Sequence, residues 1–206
     1  MSHQRKRIAI DNDDVLFPFV ETFFRFFNAK FQTNYSLSSQ DQYKLDQTLG
    51  LTEEETMDVV FDFYASNEIL QMDPLAGAKQ ALATLKNEHD LVLITARPTF
   101  TTDITIQAVE KHFPDTFKEI HLTNSFSKSE IKTTKAKLCK ETGVSLLVDD
   151  SPVNATECIA EGIPLILFER PWNKSMTAAQ FQPEMLYLAQ NWPEVVELIK
   201  RLSVKT

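Results

Sequence analysis

Three carboxylates fall within four residues at the point where an apolar run stops. The run is Arg7-Ile8-Ala9-Ile10, and Asp11-Asn12-Asp13-Asp14-Val15-Leu16 follows it. A short apolar run of this kind reads as a buried strand. Acids at its end need partners or a metal, because a buried carboxylate left alone is costly. Asp11 and Asp13 are two apart, a spacing that can aim both into one crevice at a strand end. Open α/β sheets bind ligands in that crevice, outside the carboxyl ends of their strands. Asp-Asn-Asp-Asp by itself also fits a turn held by Asx bonding. The chemical alternative is a divalent-cation site of oxygen ligands, the kind Mg²⁺ prefers.

Two other strand ends bear on the choice. Leu91-Val92-Leu93-Ile94 runs into Thr95-Ala96-Arg97-Pro98, and a strand over 144–148 runs into Asp149-Asp150. In a parallel sheet these ends share an edge with Asp11 and Asp13. Four carboxylates on one edge repel unless a cation sits among them. A phosphate would add negative charge, and a lysine from 128–140 could offset it together with the metal. Lys128, Lys132 and Lys135 fall on one face of a helix expected at about 129–142. Thr95 offers a hydroxyl, and backbone N–H groups at a helix N-terminus would make an anion site beside it. A carboxylate can attack phosphorus to give an acyl phosphate, and a second acid can protonate the leaving oxygen and later activate water. That division makes Asp11 the nucleophile and Asp13 the acid/base.

The elements that must hold these groups follow from periodicity. From residue 74 onward strands and helices alternate, which predicts a parallel sheet with helices on both faces and right-handed crossovers. Five strands are expected, at about 7–10, 91–95, 119–122, 144–148 and 164–168. Helices are expected at about 101–113, 129–142, 152–161 and 193–203. Residues 17–73 read as an all-helical insertion. Within it Val20, Phe23, Phe24, Phe27 and Phe31 form a helical stripe over about 19–32. Thr52 and Glu55 form a capping box that opens a helix to about Ser66. Phe17 and Phe19 lie just beyond the acids, where an aromatic ring could line a substrate pocket.

Composition sets limits. The chain has 206 residues, 43% of them hydrophobic, with a net charge of −8 and a pI near 5.0. That supports one α/β core plus a small insertion. It argues against binding a nucleic acid polymer or an anionic membrane. There is no apolar stretch long enough to span a bilayer and no visible secretory signal, so a cytoplasmic chain is expected. Cys139 and Cys158 show no metal or redox spacing and are expected as buried thiols. His3, His89, His112 and His121 show no metal spacing. No Walker A, GxGxxG or Ser-His-Asp signature is present. Self-association as a homodimer stays open.

Asp-x-Asp-x-Val after a strand, a strand ending in Thr, a lysine and a strand ending in Asp-Asp together resemble the haloacid dehalogenase-like phosphatase superfamily. The resemblance implies a Rossmann-like three-layer α/β fold with sheet order 5-4-1-2-3. It also implies a small helical C1-type cap at 17–73 on a core of 1–16 and 74–206. Dehalogenases of the superfamily lack the second Asp, so Asp13 argues against dehalogenation. In closer detail, Asp11 to Leu16, Phe19 and Leu146-Leu147-Val148-Asp149-Asp150 are similar to the 5′(3′)-deoxyribonucleotidase family, with Asp14 standing where that family has glycine. By that resemblance Phe19 borders the base. Asp11, the backbone carbonyl of Asp13, and one or both of Asp149 and Asp150 hold Mg²⁺. The run Lys135-Ala-Lys-Leu-Cys makes Lys135 the active lysine, ahead of Lys132. Thr95, Ala96 and Arg97 are the candidate phosphate- or base-binding residues. The implied activity is Mg²⁺-dependent hydrolysis of a nucleotide phosphomonoester. Hydrolysis of another small phosphorylated metabolite, phosphoryl transfer to a sugar hydroxyl, and a non-catalytic binding module on the same scaffold are the alternatives. The intact acidic set disfavours the binding module.

Overall fold

In a computed structural model, residues 5–129 and 131–204 are described. His3 and position 130 of the expected lysine-bearing helix lie outside them. Six parallel strands form one sheet: β1 Arg7–Ile10, β2 Asp90–Thr95, β3 Phe117–Leu122, β4 Leu146–Asp149, β5 Leu165–Phe168 and β6 Leu186–Ala189, in the order β3-β2-β1-β4-β5-β6. This is the expected Rossmann-like order with β6 added at one edge. Leu186-Tyr187-Leu188-Ala189 is too short and too mixed in polarity to stand out in the sequence. Its pairing with β5 makes it a strand.

The strands are apolar on both faces, as a doubly covered sheet requires. Ile8, Ile10, Leu91, Leu93, Leu146 and Val148 point to one side. There they meet α4 Ala78–Glu88, α5 Thr102–His112 and α8 Trp192–Val204. Ala9, Val92, Ile94, Leu147, Leu165 and Leu167 point to the other side. They meet α6 Lys135–Glu141 and α7 Pro152–Ala160 through Ala136, Cys139, Ala155 and Cys158. Both cysteines are buried free thiols.

Between β1 and α4 the described residues form only helices and turns: α1 Phe19–Phe31, α2 Leu45–Leu49 and α3 Glu53–Ala65, with 3₁₀ turns at Leu37–Ser39 and Asn67–Gln71. The capping box forms at α3, where Thr52 Oγ1 accepts from Glu55 N and the Glu55 carboxylate accepts from Thr52 N. Aromatic rings join α1 to α3. Phe63 meets Phe19 and Phe23 edge-on at centroid distances of 5.4 and 5.7 Å. Phe31, at the end of the expected stripe, is instead 45% exposed. Phe17 is fully buried against His112 and Phe113 and does not line the cavity beside the acids. Among the described residues no helix is long and apolar enough to cross a membrane.

The lysine-bearing helix starts later than its charges suggested. Thr134 caps α6 by accepting from Lys137 N, and Thr133 N donates to Thr123 O at 2.9 Å. β-branched Ile131, Thr133 and Thr134 favour the extended approach. Lys128 and Lys132 therefore share no helical face with Lys135.

One contact ties α8 to the loop that follows β1. Trp192, fully buried, donates from Nε1 to the Val15 carbonyl at 3.0 Å. Gly77 has φ +84° and leaves room for the indole's root, since a Cβ there would stand 3.3 Å from Trp192 Cβ. Trp192→Phe leaves the Val15 carbonyl unpaired and removes ring volume. It should lower stability by about 1–3 kcal/mol, read as a shift in the urea midpoint at unchanged slope.

Candidate active site

β1 keeps its register past its last residue, because Asp11 N donates to Val148 O of β4 at 2.9 Å. The chain then folds sharply. Asn12 O accepts from Leu16 N and Phe17 N, and Asp14 N donates to Phe17 O at 2.7 Å. Asp14 closes this turn with φ +55°, in the left-handed region. Asp reaches that region more readily than most residues, so it can occupy the position of the similar family's glycine. Its carboxylate accepts from Val20 N at the start of α1, and Arg170 donates from Nε and Nη2 to the Asp14 carbonyl.

The loop delivers Asp11 to the carboxyl end of β4. Carboxylate oxygens of Asp11, Asp149 and Asp150 lie within 4.8 Å of one another, and all three residues are buried. Lys135 enters this cluster from the first turn of α6. Its Nζ stands 2.6 Å from Asp11 Oδ1 and 2.7 Å from Asp149 Oδ2. Burial pulls against the charge on this ammonium, but Asp11 and Asp149 outweigh burial and hold it charged. Burial raises Asp11 well above the ordinary carboxylate range; Asp149, Asp150 and Asp13 push the same way while Lys135 opposes. Asp150 is also raised, by burial and then by Asp149 and Asp14. One lysine thus leaves the cluster short of positive charge. Oxygen donors this close are a hard-cation donor set.

The two acids after β4 are held differently. Asp149 accepts from Lys135, from Ser151 N at 2.8 Å, and from Asn154 Nδ2 at 3.2 Å on both oxygens. Asp150 accepts from Trp172 Nε1 on one oxygen at 2.8 Å. Asn173 Nδ2 bridges the carbonyls of Asp150 and Phe168.

The end of β2 faces the same cavity. Thr95, Ala96 and Arg97 line it together with Asp11, Asp13 and Lys135, and its volume is about 410 Å³. A 3₁₀ turn at Thr99–Thr101 leads into α5 at Thr102, close to the expected start at 101, so the first helical turn begins four residues beyond Thr95. Arg97 is buried and faces no solvent. It donates to both oxygens of Asp13, from Nε at 2.9 Å and Nη2 at 2.6 Å, and from Nη1 to Thr105. Its guanidinium also lies 5.4 Å from the Tyr64 ring centroid. Arg97 therefore grips Asp13 rather than standing open to a phosphate. Phe19 lines the cavity from α1, wedged against Phe63 and Tyr64.

Several residues that shape the site gave no sequence signal. Trp172 and Arg170 follow β5 and arrive through the sheet order alone. Asn154 could have been found, since Ser151-Pro152-Val153-Asn154 after Asp149-Asp150 is a helix start that turns its third residue back on the cap.

The chain matches the family described as "5′ nucleotidase, deoxy (Pyrimidine), cytosolic type C protein" over residues 5–206. It is 31% identical over 195 residues to YqfW of Bacillus subtilis, provisionally named a nucleotidase, covering 93% of this chain and 92% of that one. Among solved structures, a haloacid dehalogenase-like family hydrolase from Streptococcus pneumoniae superposes with TM-score 0.71 at 14% identity, over 95% of this chain and 98% of that one. YfnB of Bacillus subtilis, described as a HAD hydrolase bound to magnesium, superposes with TM-score 0.62 at 12% identity, over 96% and 99%. At those identities the two structures show the shared fold.

Asp14 makes the site sensitive to pH. Burial first, then Asp13 and Asp11, push its carboxyl up to about 8 against the pull of Arg170. The unfolded chain releases this proton near pH 4 and the folded chain near pH 8. The stability Asp14 contributes is therefore full below about pH 4, declines as pH rises from there, and is lost once pH has passed 8. Asp14→Asn keeps the left-handed turn and the acceptor for Val20. Melting curves in EDTA should show it close to wild type at pH 4 and more stable by about 1 kcal/mol or more at pH 9.

Proposed function

Because this chain belongs to the cytosolic type C 5′ nucleotidase family, we propose that it is a Mg²⁺-dependent phosphomonoesterase for pyrimidine nucleotides working through an aspartyl-phosphate on Asp11. The supporting observation is the charge arrangement at one sheet edge. A protonated lysine sits between Asp11 and Asp149 with Asp150 alongside, and the group still lacks positive charge. A dianionic phosphate can enter only if more positive charge comes with it.

Asp11, Asp150 and the Asp13 carbonyl would hold the ion, which would neutralise the phosphate oxygens and the charge developing on them. Asp150 fits better than Asp149 as a ligand. It commits one oxygen to Trp172, whereas both oxygens of Asp149 are taken by Lys135, Ser151 and Asn154. Asp149 then serves to fix Lys135. The magnesium described for YfnB, a structure of the same fold, supports the choice of ion.

The residues divide the chemistry as follows. Lys135 and Asp149 fix the Asp11 carboxylate at the strand end. An Asp11 oxygen attacks phosphorus, the ester P–O bond breaks, and the departing sugar oxygen takes a proton from Asp13 once that carboxyl is protonated and released from the Arg97 fork. In the second half Asp13 takes a proton from water, the water oxygen attacks phosphorus, and the bond to Asp11 breaks to release phosphate. Thr95 and the Ala96 backbone line the phosphate end, and Phe19 lines the base end. Residues 17–73 act as the cap on a core of 1–16 and 74–206. In support, Lys128 pairs with Asp58 of α3 at 2.6 Å, and Phe100 packs edge-on against Phe61 at 5.0 Å.

Asp11→Asn preserves shape and removes the attacking oxygen. Its kcat on deoxynucleoside monophosphates should fall by about a thousandfold or more with melting behaviour retained. Turnover near wild type in that variant rules out the nucleophile. EDTA should abolish wild-type turnover and Mg²⁺ should restore it. Asp150→Asn should raise the Mg²⁺ concentration needed by tenfold or more, and by more than Asn154→Ala does. A panel of 5′- and 3′-nucleotides against sugar phosphates tests the substrate class.

A further inference from the structure

A carboxylate offers about four lone-pair sites, and those of Asp13 are unequally filled. Oδ1 accepts from Arg97 Nη2 at 2.6 Å and from Asn12 Nδ2 at 2.9 Å, which takes up both of its lone pairs. Among the described residues, Oδ2 accepts from Arg97 Nε alone, at 2.9 Å. Oδ2 therefore keeps a lone pair while the fork is made. Asp13 lines the cavity and its side chain is 20% exposed, so water reaches the carboxylate.

Arg97 is itself fixed. It is buried, and Nη1 donates to Thr105 Oγ1 of α5 at 3.1 Å. Its guanidinium carbon lies 5.4 Å from the centroid of the Tyr64 ring, which α3 carries. Phe100, three residues beyond Arg97, packs edge-on against Tyr64 and Phe61 at 6.3 and 5.0 Å. A buried guanidinium is costly unless paired. Here the Asp13 carboxylate and an aromatic ring share its charge. A guanidinium fork sets the plane of a carboxylate as well as its position, which the point charge of a lysine does not.

We infer that Arg97 and Tyr64 are positioning residues that hold Asp13 with Oδ2 ready to take the proton of the attacking water. This rests on the aspartyl-phosphate reading above and names what its second half depends on. The water oxygen bonds to phosphorus, the bond from phosphorus to Asp11 breaks to leave the Asp11 carboxylate, and the water proton passes to Asp13 Oδ2. The fork stays intact up to that transfer. Protonated Asp13 is neutral, so its hold on the guanidinium weakens and the carboxyl is released for the next leaving group. Tyr64 acts through Arg97, by keeping the guanidinium where the fork can form again.

The test uses 4-nitrophenyl phosphate at saturating Mg²⁺, because its leaving group departs without a proton from Asp13. There kcat/KM reports formation of the aspartyl-phosphate, and a slowed second half lowers kcat and KM together. Arg97→Lys keeps the charge and loses the fork. It should lower kcat by about tenfold or more, lower KM in proportion, and leave kcat/KM within about threefold of wild type. Nitrophenolate should appear in a burst, and acid-quenched protein should carry more covalent phosphate than wild type. Asp13→Asn should show the same signature more strongly, and Tyr64→Leu should show it with kcat lower by about threefold or more. Melting curves check that the variants fold, and should Arg97→Lys fail to fold, Tyr64→Leu decides. An unchanged kcat in the deciding variant, or a kcat/KM that falls as far as kcat with no gain in covalent phosphate, overturns the inference. If Asp13→Asn still accumulates covalent phosphate, the reaction itself stands. No such accumulation in Asp13→Asn either overturns the acid/base reading of Asp13 and this inference together.

Discussion

Lys135 brings a single positive charge to 2.6 Å from Asp11 and 2.7 Å from Asp149, where solvent barely reaches. Each partner is costly to bury alone. Together they are tolerable, and with Asp150 close by they remain net negative. That imbalance gives the edge of the sheet its character. It makes Asp11 reluctant to ionise without further positive charge, and it makes the pocket favourable for a hard cation and an anion arriving together. The rest of the molecule keeps these groups close.

The sheet does this through register. β1 is central, flanked by β2 and β4, so the loops after three adjacent strands open onto one crevice. The Asp11 N–H bond to Val148 O extends β1 beyond its last strand residue and fixes where the turn begins. Asp14 then bends the chain back, and Arg170 and Trp192 hold the carbonyls of Asp14 and Val15 from elements far away in sequence. A loop of this length would wander if only its own residues restrained it. Here both of those carbonyls are bound to side chains beyond β5.

Much of this was legible because the signals were local. An apolar run that ends in acids marks a strand end with something to bind, and it does so at both Asp11 and Asp149. Helix α3 declares itself through the Thr52 and Glu55 box. Other features depended on partners that periodicity does not name. β6 owes its existence to β5. Arg97 looked free for a phosphate or a base, yet in the fold Asp13 occupies its fork. The lysines looked like one helical face because their spacing is helical, but Thr134 starts the helix too late to include Lys128 and Lys132.

The face of the sheet that carries α6 and α7 is lined by small groups, Ala136, Cys139, Ala155 and Cys158. Compact side chains let these two helices settle close to β4, and that closeness lets Lys135 span the gap to Asp11. Side-chain size in this layer is therefore constrained for a reason unrelated to hydrophobicity. A larger residue there, or a sulfur enlarged by oxidation, would wedge the helix outward and carry the ammonium away from its acids. The protein would keep its fold while losing its electrostatics, so what this layer sets is thickness.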